Sequence, residues 1–291
     1  MASGEPLTTP LRKIEGRTDL RRIVSPDPTL GKTVETSVGG LTLLHGLTEF
    51  SQIRWEGIDF SDSRLNSLRF HDSVISNCMF NECSCEDWRI WSTSFKNCSF
   101  RDADLRGASL GAVDGGKRNR FEDILFEKTD LRDTSYTSTE FIRCVFRNAK
   151  LNKVDFQGSV FTDCVFEGEL REVIFYDRGF NGKDLPPNEM LRVDFSKAHF
   201  RYVEFRRLNL ETVEFPESDE HIIIDDFPKV LDGMLSALRP RNDDASKRLG
   251  SHLAFKKKWL GPNQRRGVLV KKDILAASGQ EGLDFVLAML T

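Results

Sequence analysis

The most regular feature of the chain is a bulky apolar residue at every fifth position across most of the region between Phe50 and Phe215. The first run holds Phe50, Trp55, Phe60, Leu65, Phe70, Ile75, Phe80, Cys85, Ile90, Phe95, Phe100, Leu105 and Leu110. The second holds Phe121, Phe126, Leu131, Tyr136, Phe141, Phe146, Leu151, Phe156, Phe161 and Phe166, and the third holds Leu170, Phe175, Phe195, Phe200, Phe205, Leu210 and Phe215. A period of five fits neither an α-helix nor a plain β-strand, and it indicates an array of identical small units.

A smaller side chain lies two positions before many of the bulky ones, as Cys78 precedes Phe80 and Ala103 precedes Leu105. Residues two apart on an extended chain point to the same side, so each unit directs one small and one large side chain inward. The other three positions are rich in Asp, Asn, Ser, Arg and Lys, which suit turns and solvent. Each unit is therefore predicted to be a very short strand followed by a corner.

Like residues also recur at intervals of 20, as Phe60, Phe80 and Phe100 do. This second period predicts four units per turn, with parallel strands stacked about 4.8 Å apart. The predicted fold class is an all-β solenoid, a four-sided parallel β-helix of about 7–8 coils, followed by a C-terminal helical module. The bulky apolar residues form its core.

The units resemble those of the pentapeptide-repeat family, in which the five residues follow the form Ala-Asp/Asn-Leu-x-x. Residues 103–107 read Ala-Asp-Leu-Arg-Gly and match outright, while 129–131 (Thr-Asp-Leu) and 154–156 (Val-Asp-Phe) match closely. The resemblance covers about residues 48–216 and implies that the quadrilateral β-helix is right-handed. Well-understood members of the family resemble duplex DNA in width and charge, and they bind DNA gyrase or topoisomerase IV in its place.

The six cysteines fall on the inward register: Cys78, Cys83, Cys98, Cys144 and Cys164 at the small position and Cys85 at the large one. Free Cys is a good small hydrophobe for such a slot, so packing is predicted rather than a metal site or disulfides. The five His residues are scattered without ligand spacing, and no catalytic motif is present. We therefore expect a protein that is not an enzyme and has no catalytic residues, cofactor or metal.

The register of the repeat is interrupted twice, and both interruptions are predicted to be loops. Eleven steps instead of ten separate Leu110 from Phe121, and residues 176–192 contain Pro186, Pro187 and two Gly. Such loops are either tolerated surface insertions or recognition loops on a rigid scaffold. The candidate interaction residues in them are Gly115, Gly116, Lys117, Arg118, Arg120, Arg178 and Lys183.

The two flanks of the repeat differ from it and from each other. Residues 1–47 predict an irregular arm or a degenerate first coil, with Val38 to Phe50 capping the open end. Residues 217–291 predict a helical domain that caps the rod, forms a homodimer surface, or does both. Its helices are expected to start at Phe227 after Asp226, to run from Asp244 to about Leu260, and to run from Gln280 to Leu290.

Charge is nearly balanced overall at -3, but residues 239–272 hold 11 basic and 2 acidic residues. This tail is either a solvated face or a surface for nucleic acid or an acidic partner. The sequence holds no apolar run of about 18 residues and starts without a signal-like stretch, so a cytoplasmic protein without membrane contact is expected. The candidate residues of the basic tail are Lys256, Lys257, Lys258, Trp259, Arg265 and Arg266.

Two functions are open at this point. One is a protein-interaction scaffold that contacts another protein through its loops or tail. The other is a DNA mimic that binds DNA gyrase or topoisomerase IV and modulates it or protects it from inhibitors, which is an antibiotic-resistance function. Residues 49–217 carry 24 basic and 30 acidic residues. A continuous acidic face would favour mimicry, whereas interspersed charge would favour the scaffold.

Overall fold

A computed structural model describes residues 11–25, 34–38, 41–45, 49–179 and 185–290, with backbone only at 34–38 and 41–45. In it the repeat region winds into a rod whose successive turns pair in parallel at intervals of about 20 residues. Phe70 pairs with Phe50 and then with Ile90. The predicted fold class, a four-sided parallel β-helix with a C-terminal helical module, is confirmed.

Four stacks of short parallel strands form the sides of the rod. Side one contains Glu49–Ser51, Arg69–His71, Arg89–Trp91, Ser109–Gly111, Ser135–Tyr136, Asp155–Phe156, Ile174–Tyr176 and Glu204–Arg206. Side two contains Arg54–Glu56, Val74–Ser76, Ser94–Lys96, Arg120–Glu122, Glu140–Ile142 and Val160–Thr162. Sides three and four contain Arg17–Asp19, Ile58–Asp59, Leu125–Glu127, Val145–Arg147, Val165–Arg171 and Ala198–Arg201, with single bridges such as Arg64 to Ser84 completing them.

Most corners of the rod are made by a residue in the left-handed backbone region, two positions after a bulky one. Asp62, Asn77 and Asp102 have φ of 61°, 55° and 53°. Asp and Asn tolerate this conformation better than other residues with a side chain. The polar positions of the repeat therefore serve the turns, as the sequence predicts.

The core of the rod consists of stacked apolar columns. The ring centroids of Phe146 and Phe166 lie 4.6 Å apart with an interplanar angle of 4°, and those of Phe80 and Phe100 lie 4.9 Å apart. All six cysteines are buried and free, which confirms their inward placement. The thiol of Cys144 donates a hydrogen bond to the carbonyl oxygen of Phe121 at 3.3 Å.

The chain before residue 49 adds part of a further coil. Arg17–Asp19 pairs in parallel with Ile58–Asp59 and antiparallel with Lys13–Ile14. This agrees with the degenerate-coil alternative for residues 11–25. Strands Val34–Val38 and Leu41–His45 pair antiparallel. The capping role of Val38 to Phe50 stays a prediction, because residues 39–40 and 46–48 and the side chains of both strands lie outside the described part of the structure.

The C-terminal module contains three helices: α1 (Phe227–Leu238), α2 (Asp244–Lys258) and α3 (Lys271–Ala288). The start of α1 is as predicted, although Asp226 makes no side-chain capping bond. The helix expected from Gln280 to Leu290 corresponds to the part of α3 that follows Gly279, whose φ of 73° is not helical, whereas the part from Lys271 to Gly279 was not predicted. Within the described residues, none of these helices has both the length and the apolar character needed to cross a lipid bilayer.

Two strands that the sequence analysis missed attach the module to the rod. His221–Ile224 pairs antiparallel with Gly267–Val270. Val268 and Val270 pack into the core of the rod, whereas Leu269 packs into the core of the helices. The module therefore covers the last coil and shares a continuous apolar contact with it.

Candidate functional site

Both insertions leave the rod at the same corner, between side one and side two. The first replaces the corner between Leu110 and Phe121 with a hairpin of Val113–Asp114 and Lys117–Arg118. Its turn is Gly115–Gly116, with φ of 54° and 75°. Glycine adopts these values without steric cost, so the expected loop is a tight hairpin.

The second insertion lies between Phe175 and Met190, three coils further along, and it touches the first. Arg118 Nη2 donates a hydrogen bond to the carbonyl oxygen of Pro186 at 2.7 Å. Arg178 Nη1 donates to the carbonyl oxygen of Leu185 at 3.0 Å and so holds the same stretch. We call residues 113–118 and 185–187 the paired insertions.

A groove lies beside the paired insertions, and it is lined in part by Ser92 and Ser94 from the coil before the first insertion and by Glu140 from the coil after it. Burial lowers the pKa of the Arg118 guanidinium, although the carboxylate of Glu140 opposes the shift. Arg118 Nε is buried and has no hydrogen-bond partner among the residues that the structure describes. The paired insertions therefore enclose this nitrogen, and Arg118 serves to hold them together.

The predicted loop residues fall into three groups. Gly115, Gly116, Lys117 and Arg118 form the hairpin, and Arg178 supports the second insertion. Arg120 is instead part of a side-two strand, where Nη1 contacts Glu140 at 2.7 Å. Lys183 lies outside the described residues.

The sequence analysis overlooked two Asn residues that return the chain to the rod after each insertion. Asn119 and Asn188 occupy the small inward position, two residues before Phe121 and Met190, and both are buried. Asn119 accepts from the Thr93 N–H and donates to the carbonyl oxygens of Ile90 and Leu110. Asn188 accepts from the N–H groups of Phe161 and Met190 and donates to Tyr176.

This slot carried a signal in the sequence, because on side two it is polar in six successive coils: Ser73, Thr93, Asn119, Thr139, Ser159 and Asn188. In regular coils a hydroxyl suffices, as Thr139 Oγ1 donates to the Leu110 carbonyl oxygen at 3.2 Å. The amide of Asn119 makes equivalent bonds to the Thr93 N–H and the Ile90 carbonyl oxygen, and it adds one to the Leu110 carbonyl oxygen, where the insertion begins. An Asn in this position therefore marks the return from an insertion.

The candidate basic tail does not form one surface. The Trp259 ring packs on the rod, with Arg206 Cζ 4.4 Å from its centroid, and Arg266 Nη1 donates to the Val213 carbonyl oxygen at 3.1 Å. Lys257 pairs with Asp232, and Lys256 lines a cavity between module and rod. Lys257, Lys258 and Arg265 are exposed.

Charges on the rod pair across neighbouring coils. Arg143 Nε lies 2.7 Å from Asp123, and Arg147 Nε lies 2.6 Å from Glu167. Hydrogen bonds from Lys96, Arg120 and Arg143 lower the pKa of Glu122 to about 2. On the described rod, acidic and basic groups are thus interspersed. Further pairs are Arg101 with Glu127, Arg106 with Glu86, Arg132 and Lys150 with Asp130, and Arg192 with Asp163.

The chain was compared with known families, curated proteins and solved structures. A family model described as pentapeptide repeats matches residues 124–163 with eight copies. No curated protein is significantly similar to the chain.

Three solved structures are similar to this chain. A trypsin-treated variant of QnrB1, a plasmid-mediated fluoroquinolone resistance protein, is 14% identical, with a TM-score of 0.46 over 58% of this chain and 85% of its own. HetL, a pentapeptide repeat protein involved in heterocyst differentiation regulation in Nostoc sp. strain PCC 7120, is 17% identical, with a TM-score of 0.28. The match covers 58% of this chain and 81% of HetL. Rfr23, a pentapeptide repeat protein from Cyanothece 51142, is 9% identical, with a TM-score of 0.16. The match covers 58% of this chain and 86% of Rfr23.

Proposed function

We propose that the chain is a pentapeptide-repeat protein and that it is a non-enzymatic protein-interaction scaffold whose contact surface is formed by the paired insertions. The observation that carries this proposal is the hydrogen bond from Arg118 to Pro186, which joins two segments 68 residues apart in sequence. Recognition segments are commonly held on rigid frameworks in this way. Two unrelated tolerated insertions would have no need to contact each other.

The anchoring of both insertions supports the same conclusion. Asn119 and Asn188 fix the return of each insertion with buried hydrogen bonds. A preorganised surface loses less conformational entropy when a partner binds. The partner is another protein, and the paired insertions offer it the exposed ammonium of Lys117. Arg118 instead holds the two insertions together.

The alternative function, a DNA mimic that binds DNA gyrase or topoisomerase IV, requires a continuous acidic face. The carboxylates of Asp123, Glu140 and Glu167 each lie against an arginine. Because paired carboxylates present little net negative charge to a DNA-binding surface, this arrangement favours the scaffold over the mimic.

The tail supports an interaction role less directly. Lys256, Trp259 and Arg266 contact the junction of module and rod, which leaves Lys258 and Arg265 to meet an acidic partner or nucleic acid. Among the exposed apolar residues of the described helices, Leu275 and Leu287 of α3 lie on the module. A homodimer through these helices is a subsidiary proposal, and sedimentation of the full chain tests it.

The scaffold proposal is tested with a variant that lacks residues 113–118. This deletion restores the five-residue spacing from Leu110 to Phe121 and keeps Asn119. We expect the full chain to capture a protein from its host extract and the trimmed variant to capture at least about tenfold less, because a preorganised contact surface is lost. The matched control is Arg101→Ala, which changes an exposed arginine on another side of the rod.

A second arm of the experiment uses purified DNA gyrase. The scaffold proposal predicts no effect on supercoiling at micromolar protein and low salt. Inhibition that weakens as salt is added would instead support the DNA mimic, because salt screens contacts between charged surfaces. Equal capture by the full chain and the folded trimmed variant would contradict the role of the paired insertions.

A further inference from the structure

A cavity of about 180 Å³ lies where the C-terminal module meets the last coils of the rod. Its apolar wall comes from both parts and includes three Phe side chains, Phe205 from the rod, Phe227 from α1 and Phe255 from α2, beside the aliphatic Val203, Leu210, Leu260 and Val268. A cavity of roughly 150 Å³ accommodates benzene in another protein. This cavity therefore has room for one six-membered ring with a small substituent.

Polar groups without partners converge on the same cavity. His252 Nε2, Trp259 Nε1 and Asp273 Oδ1 are buried, and none has a hydrogen-bond partner in the described part of the chain. The ammonium of Lys256, one turn after His252 on α2, also has no ion pair there. Buried polar atoms without partners are costly, and their concentration around one space indicates a site that a bound molecule completes.

The chemistry of these groups selects the ligand. The carboxylate of Asp273 already binds the rod. Its Oδ2 accepts a hydrogen bond from the Tyr202 N–H at 2.8 Å, and its Oδ1 lies 3.5 Å from Arg201 Nε. Burial lowers the pKa of His252 to about 4, so its imidazole is neutral at neutral pH. Glu204, whose carboxylate also lines the cavity, is paired with Arg206 at 2.6 Å. The groups that remain are the Trp259 N–H donor and the amine of Lys256, whose pKa is lowered by burial and raised by the carboxylates of Asp273 and Glu204.

We propose that this cavity binds a small aromatic carboxylate, whose ring packs against the three Phe side chains and whose carboxylate accepts hydrogen bonds from Lys256 and Trp259. A cationic ligand would be repelled by Lys256, and a neutral hydrocarbon would leave both donors without partners. Charge-assisted hydrogen bonds to a carboxylate are the stronger kind. Because the walls belong to both parts, the ligand also holds the module on the rod.

The test uses the full chain and 4-fluorobenzoate, observed by fluorine NMR. We expect its signal to broaden in the presence of the protein, and Lys256→Met to weaken binding by at least about tenfold because the charge-assisted bond is lost. Lys247→Met, an exposed lysine on the same helix, is the matched control and should leave binding unchanged. Trp259→Phe keeps an aromatic ring, removes the donor and should also weaken binding.

Two further measurements make the outcome decisive. 4-Fluorobenzoate should raise the thermal unfolding midpoint of the full chain, since a ligand that binds only the folded state stabilises it. The uncharged 4-fluorotoluene should bind more weakly than 4-fluorobenzoate to the unaltered chain. The proposal is overturned if the cavity holds only water and neither probe binds, if 4-fluorotoluene binds as well, or if folded Lys256→Met and Trp259→Phe bind 4-fluorobenzoate normally.

Discussion

Asn119 Oδ1 accepts a hydrogen bond from the backbone N–H of Thr93 at 3.0 Å, across the break that the first insertion makes in the coil. In a regular coil these two slots would be 20 residues apart, and here they are 26 apart. The amide of Asn119 also donates to Ile90 and Leu110. One buried side chain thus lets the rod continue past six extra residues.

Asn119→Ala should therefore destabilise the rod by at least about 2 kcal/mol, because it removes three buried hydrogen bonds and takes their side-chain partner from the Thr93 N–H and the Ile90 carbonyl oxygen. The Leu110 carbonyl oxygen keeps the Thr139 hydroxyl. Chemical denaturation of the full chain measures the effect. Thr139→Ala, which removes one hydrogen bond in the same slot of a regular coil, should cost clearly less. Equal losses would mean that the insertion needs no special anchor.

Phe146→Ala should destabilise the rod by about 3–5 kcal/mol, because it opens a void in a column of stacked rings. Phe126 and Phe166 lie on either side of Phe146, with centroids 4.9 Å and 4.6 Å away. The neighbouring Arg147→Ala should cost no more than about 1 kcal/mol, since it breaks an exposed ion pair. Similar unfolding midpoints for the two variants would contradict the inward and outward assignment.

Glu122→Gln should flatten the acid end of the stability profile. Glu122 titrates near pH 2 in the folded protein, against an ordinary pKa of 4.5. Its contribution is complete above about pH 4.5 and is lost as the pH falls through about 2, because the unfolded chain takes up the proton first. Denaturation midpoints between these pH values should fall less steeply in the variant. Glu169→Gln, an exposed carboxylate outside the ion pairs, should keep the original slope.

Arg118→Met should release the second insertion without unfolding the rod. The lost hydrogen bond to Pro186 is partly exposed, so global stability should change by no more than about 1 kcal/mol. Tryptic cleavage after Arg178 should become faster, because the 185–187 stretch loses its anchor on the hairpin. Arg101→Met is the control. An unchanged cleavage rate would show that the two insertions are not coupled.

The rod could be predicted because its period is dictated by packing within each unit. Residues such as Phe146 and Cys144 are inward by spacing alone, and their burial follows wherever the coil lies in the stack. The module was harder, because Gly267–Val270 becomes a strand only beside His221–Ile224 and the rod end. The part of α3 before Gly279 was also missed because it depends on contact with the rod. Asp273 lies on its buried face and accepts a hydrogen bond from the Tyr202 N–H, so this face does not read as apolar in the sequence.

The candidate site was predictable only in part. Counting units in groups of four places the breaks after Leu110 and Phe175 at the same corner, so their proximity was available from the sequence. The contact between Arg118 and Pro186 was not, because it depends on the length and direction of two irregular segments. Asn119 and Asn188 could have been recognised as large polar residues in a slot that otherwise holds Ser or Thr.

The most direct measurement of the central claim is site-specific photo-crosslinking in host cells. A benzophenone amino acid replaces Lys117 on the hairpin or, as a matched control, Lys150, an exposed lysine on another side of the rod. The account predicts a crosslinked protein partner from position 117 that disappears when Arg118→Met is added, and no such product from position 150. A product of equal intensity from both positions, or from position 150 alone, would contradict the claim that the paired insertions form the contact surface.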